Sequence, residues 1–251
     1  MTLRILSLAA LILAAGCESP GDERGGTATM ADARQATLSG EACPDVGDKA
    51  YFFWMEARSA EPGEAIALRP YWTDMPGGYN DLPPGCLGDL KVTPEGAASF
   101  RRDENGIAIA VLSDTAESGS RVRLDGDYRG HTVAGIVDVF RRADNPLVGT
   151  WRQDGEDCPP ESAVRELVFT GAKEMTVTWT PFEVYKDYWA DYDFDPATGA
   201  FSFEVEGGNQ IPEDMMTEGS ARIEGDRLIL DGVFLGTPRQ ATGECRGDFV
   251  R

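Results

Sequence analysis

From Lys49 onward the apolar positions of this chain recur at every second residue, in short runs separated by turn segments. Tyr51 to Met55 is a β-prone run. Ile66 and Leu68 alternate with small residues after the turn Glu61-Pro62-Gly63-Glu64, and Ile107, Ile109 and Val111 alternate with Ala108 and Ala110. Val122 and Leu124 lead through Gly126 to a turn at Arg129-Gly130, beyond which Val133 to Phe140 forms one more strand. Period-two alternation bounded by turn residues predicts half-buried antiparallel strands. Their spacing of about ten residues predicts a β-sandwich.

Asp144-Asn145-Pro146 breaks this series and marks a domain boundary. A second series follows: Leu167/Phe169, Met175/Val177/Trp179, Tyr192/Phe194, Phe201/Phe203/Val205, Ala221/Ile223, Leu228/Leu230, Val233/Leu235 and Cys245 to Val250. Asp195-Pro196-Ala197-Thr198-Gly199 reads as a hairpin loop, and Glu224-Gly225-Asp226-Arg227 as a tight turn. Seven or eight strands in up-and-down order predict a closed meander. Only Phe182–Trp189 carries a trace of the 3.6-residue helical period. The fold class expected is therefore all-β.

The N-terminus has a different pattern. Arg4 precedes a short apolar run that ends in Ala14-Ala15-Gly16-Cys17. The run is too short for a permanent membrane span but fits the apolar region of a secretory signal. Its end resembles the lipobox of bacterial lipoproteins, with Leu13 one place further upstream than the commonest pattern. The resemblance implies cleavage after residue 16 and a diacylglycerol on Cys17, placing the chain in the bacterial cell envelope, on the periplasmic face of the outer membrane. Residues 17–40, rich in Gly, Ser, Thr and Ala, then read as a tether to domains at 41–144 and 145–251.

Charge narrows the partners. Lys+Arg 23 against Asp+Glu 43 give a net charge of −20, and removing Arg4 with the signal makes the chain more acidic still. Such a surface repels phosphate backbones and anionic headgroups, so nucleic acid is excluded as a partner and membrane attachment falls to the acyl chains. Four further cysteines, Cys43, Cys86, Cys158 and Cys245, read as disulfides in an exported chain. Three connectivities are open. A domain division near Asn145 favours Cys43–Cys86 and Cys158–Cys245, one pair in each half.

Two further resemblances bear on the domains. Glu61 to Leu68, with Ser120–Leu124, Tyr128-Arg129-Gly130 and Val133–Val139, looks like bacterial immunoglobulin-like repeats, though the insertion Tyr71 to Pro84 departs from their pattern. Gly149-Thr150-Trp151 resembles the opening motif of lipocalin-like domains. That resemblance implies that Trp151 closes a barrel floor and that an arginine near the C-terminus stacks on it, with Arg246 and Arg251 both available. Residues 147–251 are few for a full lipocalin, so any cavity is expected to be small.

Candidate chemistry is sparse. His131 is the only histidine, which excludes multi-histidine metal sites, and its place at a hairpin tip argues against catalysis. Asp191, Asp193 and Asp195 begin like an EF-hand loop, but Pro196 and Ser202 stand where the loop needs Gly and Glu. No metal, cofactor or enzymatic activity is expected. The most suggestive residues are Trp179, Tyr185, Tyr188, Trp189 and Tyr192, whose apolar bodies and polar tips suit a ligand pocket or an interface. The expected function is a non-catalytic envelope lipoprotein that binds a small apolar or sugar-like ligand or an envelope protein. The competing expectation is a structural lipoprotein with a filled barrel, and a carboxylate-based hydrolase stands third. A hollow barrel favours the first and a filled one the second.

Overall fold

A computed structural model of the chain describes residues 43–251 apart from 56–57, 75–77, 155–157 and 181–185. The signal, Cys17, the tether and Tyr185 lie outside the described residues.

The first nine strands are β1 (Ala50–Trp54), β2 (Ser59–Ala60), β3 (Ala65–Thr73), β4 (Tyr79–Asp81), β5 (Gly88–Thr93), β6 (Ala98–Arg102), β7 (Ala108–Leu112), β8 (Arg121–Tyr128) and β9 (His131–Val139). Their order is β5-β8-β9-β1-β3-β7-β6. β1 pairs antiparallel with β3 and parallel with β9, so it joins the side β6-β7-β3 to the side β9-β8-β5. The sheet thereby folds over into a nearly closed β-sandwich. Every second residue of β7 and β8 is buried, and Leu68, Leu124, Val133 and Val137 are fully enclosed. However, β7 faces the other way from the pattern's suggestion: Ala108, Ala110 and Leu112 enter the core, while Ile109 and Val111 are only half-buried. The β8–β9 hairpin turns through Arg129 and Gly130, both with positive φ (53° and 89°), as a two-residue turn matched to strand twist requires. The insertion Tyr71 to Pro84 is partly absorbed, since Tyr71–Thr73 completes β3 and β4 pairs with it.

The second series is β10 (Gly149–Gln153), β11 (Glu166–Phe169), β12 (Glu174–Thr180), β13 (Lys186–Phe194), β14 (Ala200–Gly208), β15 (Glu218–Glu224), β16 (Arg227–Asp231) and β17 (Phe249–Val250). Each pairs with the next, and β17 returns to β10, giving a closed up-and-down barrel of eight strands. Two local expectations are corrected. Lys186–Trp189 is strand rather than helix, because Tyr188 and Ala190 alternate into the core. Val233 and Leu235 are buried but lie outside the named strands, where Met216 and Phe234 form an isolated bridge.

Trp151 is buried in the barrel core, its Nε1 donating to the Leu147 carbonyl at 2.7 Å. Of the two candidate arginines, Arg251 lies over its ring at 4.4 Å, whereas Arg246 lies over Phe234 at 4.0 Å. Gly149, with φ 137°, passes beneath the Arg251 guanidinium, 3.9 Å from where a Cβ would stand. Disulfides join Cys43 to Cys86 and Cys158 to Cys245, one closing each half of the fold.

Candidate binding cleft

The barrel interior is filled by its own aromatic residues. Trp179, Tyr188 and Tyr192 face inward and are 2%, 0% and 3% exposed, among Phe169, Phe201 and Phe203. Phe169 meets Tyr192 edge to face at 5.0 Å, and Trp179 meets Tyr188 at 5.7 Å. Their polar tips are spent within the fold. Tyr188 donates to the Leu235 carbonyl at 3.1 Å; Tyr192 donates to the Thr170 carbonyl at 2.9 Å and accepts from Asn145 at 2.8 Å. Burial pushes the Tyr192 phenol up to about 12 and that of Tyr188 higher still, so both stay neutral donors. Trp179 Nε1 has no hydrogen-bond partner among the described residues. The aromatic residues singled out in the sequence are thus divided. Trp179, Tyr188 and Tyr192 belong to the core, Trp189 faces outward, and Tyr185 lies outside the described residues.

Strand pleating puts Trp189 on the opposite face from its neighbours, 48% exposed. It stands in a row across the outer barrel surface, where Thr150, Val168, Thr176, Trp189 and Gly207 are paired in register. A Cβ at Gly207 would come within 2.8 Å of the Trp189 ring. The missing side chain therefore lets the indole rest on the β14 backbone and stay open on its outer side.

A second aromatic group lies on the sandwich. On β1 only Phe53 is buried, which leaves Phe52 and Trp54 on the outer face. Phe52 packs on Tyr71 and Tyr79 at 5.9 and 5.6 Å, and Trp54 lies 5.9 and 6.3 Å from the same two rings. Trp54 remains 47% exposed and Tyr79 63%. The run Tyr51 to Met55 had signalled a strand, but only the register of β1 separates its core residue from its surface ones.

Trp54 and Trp189 line a common cleft of about 1030 Å³ between the sandwich and the outer barrel wall. A second hollow of about 450 Å³ shares Trp54, Met55 and Arg58 with it. Several bonds fix the two walls. The Arg121 guanidinium bonds to Asp138 of β9 at 3.0 Å and to Glu174 of β12. The Ser59 hydroxyl accepts the Gly171 N–H at 2.9 Å, and Arg142 donates to the Val148 carbonyl at 3.5 Å. Burial pushes the Asp138 carboxyl up, opposed by the Arg121 guanidinium beside it.

The cleft lining is acidic. Glu64, Glu166, Glu174, Asp191 and Glu206 outnumber Arg58 and Arg142. Glu174 is held by Arg121, and Arg142 pairs with Glu61 at 3.6 Å. Among the described residues Glu166, Asp191 and Glu206 have no ion-pair partner.

The other sequence candidates take structural places. His131 stacks on Tyr51 with ring centroids 4.6 Å apart. Asp193 pairs with Lys173 at 2.8 Å, and Asp195 caps its hairpin loop by accepting from Ala197 and Thr198. Among the described residues no three His, Cys, Asp or Glu side chains are grouped so as to hold a metal ion. Comparison with family models, with curated proteins and with solved structures finds no match for this chain.

Proposed function

We propose that this chain is a non-catalytic lipoprotein of the bacterial cell envelope, held by an acylated Cys17, whose paired β-domains act as an interaction module. The observation that carries this reading is the filled barrel. Tyr188 and Tyr192 spend their hydroxyls on the protein's own backbone and on Asn145, in a core packed with Phe169, Phe201 and Phe203. A barrel of this kind carries no ligand inside, so recognition falls to the outer cleft, where Trp54 and Trp189 are half exposed. Half-exposed tryptophans gathered at a concave surface are typical of interface anchors, whereas singly scattered apolar residues need no such account.

Two measurements test the reading. Cys17→Ser should abolish labelling by a fatty-acid probe and shift the protein out of the membrane fraction or leave it as precursor; labelling equal to wild type overturns the anchor. A fluorescent fatty acid titrated against the full chain should show no saturable uptake. One-to-one uptake that quenches tryptophan emission and is lost on enlarging Ala190 to Phe would mean a hollow barrel and restore the ligand-carrier alternative.

A further inference from the structure

The geometry points to the class of partner that the cleft accepts: an extended, Lys- or Arg-bearing segment of another protein. The inference rests on the interaction-module reading above and deepens it. Three observations combine. Trp189 offers one indole face to the cleft while its other face lies on Gly207, and Trp54 stands on the facing wall with Tyr71 and Tyr79 at its flank. Glu166, Asp191 and Glu206 line the same cleft without a cationic partner among the described residues. The second hollow is lined by the same Trp54, Met55 and Arg58.

Arginine and lysine meet both surfaces at once. Their aliphatic stems lie along an apolar ring, and their cationic heads gain from the indole quadrupole and from charge-assisted bonds to carboxylates. A neutral ligand such as a glycan could also stack on the rings. It would cover the three carboxylates without neutralising them, and covering a charge that lacks a counter-charge is unfavourable. An anionic partner is repelled outright. Size argues in the same direction. Single small-ligand pockets are roughly 300–1,000 Å³. At about 1030 Å³, with a second hollow of about 450 Å³ on the same Trp54, the cleft has room for several residues of extended chain and is larger than one small cation would fill. The net charge of −20 would speed the encounter with such a segment.

The test is calorimetric titration of the detergent-solubilised full chain with three probes. These are an eight-residue peptide alternating Arg and Ala, its Glu/Ala counterpart, and a neutral hexamer of N-acetylglucosamine. Only the basic peptide should bind saturably, with affinity that falls as salt rises. Trp189→Ala should weaken it roughly tenfold, within the range of partly desolvated cation–π contacts. The triple variant Glu166→Gln, Asp191→Asn, Glu206→Gln should weaken it at least as much. Neutralising three exposed carboxylates outside the cleft (Asp89→Asn, Glu95→Gln, Glu104→Gln) is the control and should leave binding within about twofold, since distant surface charges are screened. If the two triple variants lose affinity equally, binding is only the attraction of an acidic protein for a polycation, and the inference is overturned. Binding of the glycan but not the peptide, lost in Trp189→Ala, overturns the cationic class yet leaves the interaction cleft standing. Peptide binding indifferent to Trp54→Ala, Trp189→Ala and the cleft triple variant overturns the cleft itself. Binding of neither probe overturns the cationic assignment.

Discussion

Arg251, just after β17, lies over the indole of Trp151 at 4.4 Å and donates to the carbonyls of Pro146 and Val148 at 3.1 and 3.3 Å. Arg251 thus locks the strand that opens the barrel. Trp151→Ala should cost about 3–5 kcal/mol, as buried aromatic deletions do. Arg251→Ala removes a cation–π contact and two bonds at a partly exposed site and should cost about 1–2 kcal/mol. Urea denaturation of both variants checks the ranking. An Arg251→Ala loss as large as that of Trp151→Ala would mean that the arginine, not the indole, is the main lock.

Tyr188 and Trp189 are neighbours in sequence and opposites in environment. Tyr188→Ala should destabilise by about 3–5 kcal/mol, whereas Trp189→Ala, at a half-exposed site, should cost under about 1 kcal/mol. Thermal melts separate them. Should Trp189→Ala melt as early as Tyr188→Ala, Trp189 is a core residue and the outer cleft loses its platform.

Stability should fall in alkali for a specific reason. Tyr192 is pushed up to about 12 from an ordinary value of 10.0 by burial. Its folded-state value is raised, so its contribution is fully present below pH 10 and is lost as pH rises through 12. Between these limits the unfolded chain gives up a proton that the folded chain keeps, which amounts to about 3 kcal/mol over the two units. Tyr192→Phe should therefore lessen the decline in unfolding free energy between pH 10 and 12, leaving the part due to Tyr188, whose phenol burial also pushes up. A decline as steep in that variant as in wild type would trace the alkaline loss to other groups.

The disulfides close separations of 43 and 87 residues. In the loop-entropy account they restrict the unfolded chain by about 4 and about 4.6 kcal/mol, upper values because strain and residual structure reduce them. Replacing Cys158 and Cys245 by alanine should destabilise the chain at least as much as replacing Cys43 and Cys86. The relative shifts in denaturant midpoint decide it, and a smaller loss from the longer loop would contradict the entropic account here.

How far the sequence reached differs by element. Its period-two pattern specified the all-β class, most inner strands and the break at Asp144-Asn145-Pro146, because burying one face of a strand forces that period on the chain. β5 and β6 escaped the pattern. They stand at the ends of the strand order and contain no fully buried residue, so no alternation was imposed on them. The Gly149–Trp151 motif pointed to a C-terminal arginine but could not choose between Arg246 and Arg251, since the choice depends on where β17 closes the barrel. The aromatic richness of Trp179 to Phe194 was plain, but its meaning was not. A strand sends neighbours to opposite faces, and only the register against Val177 and Gly207 decides that Tyr188 fills the core while Trp189 lies outside. Composition alone determined the acidity of the chain. The gathering of Trp54, Trp189 and the unpaired carboxylates around one cleft was decided by the packing of the first strands against the barrel, which brings together residues more than a hundred positions apart.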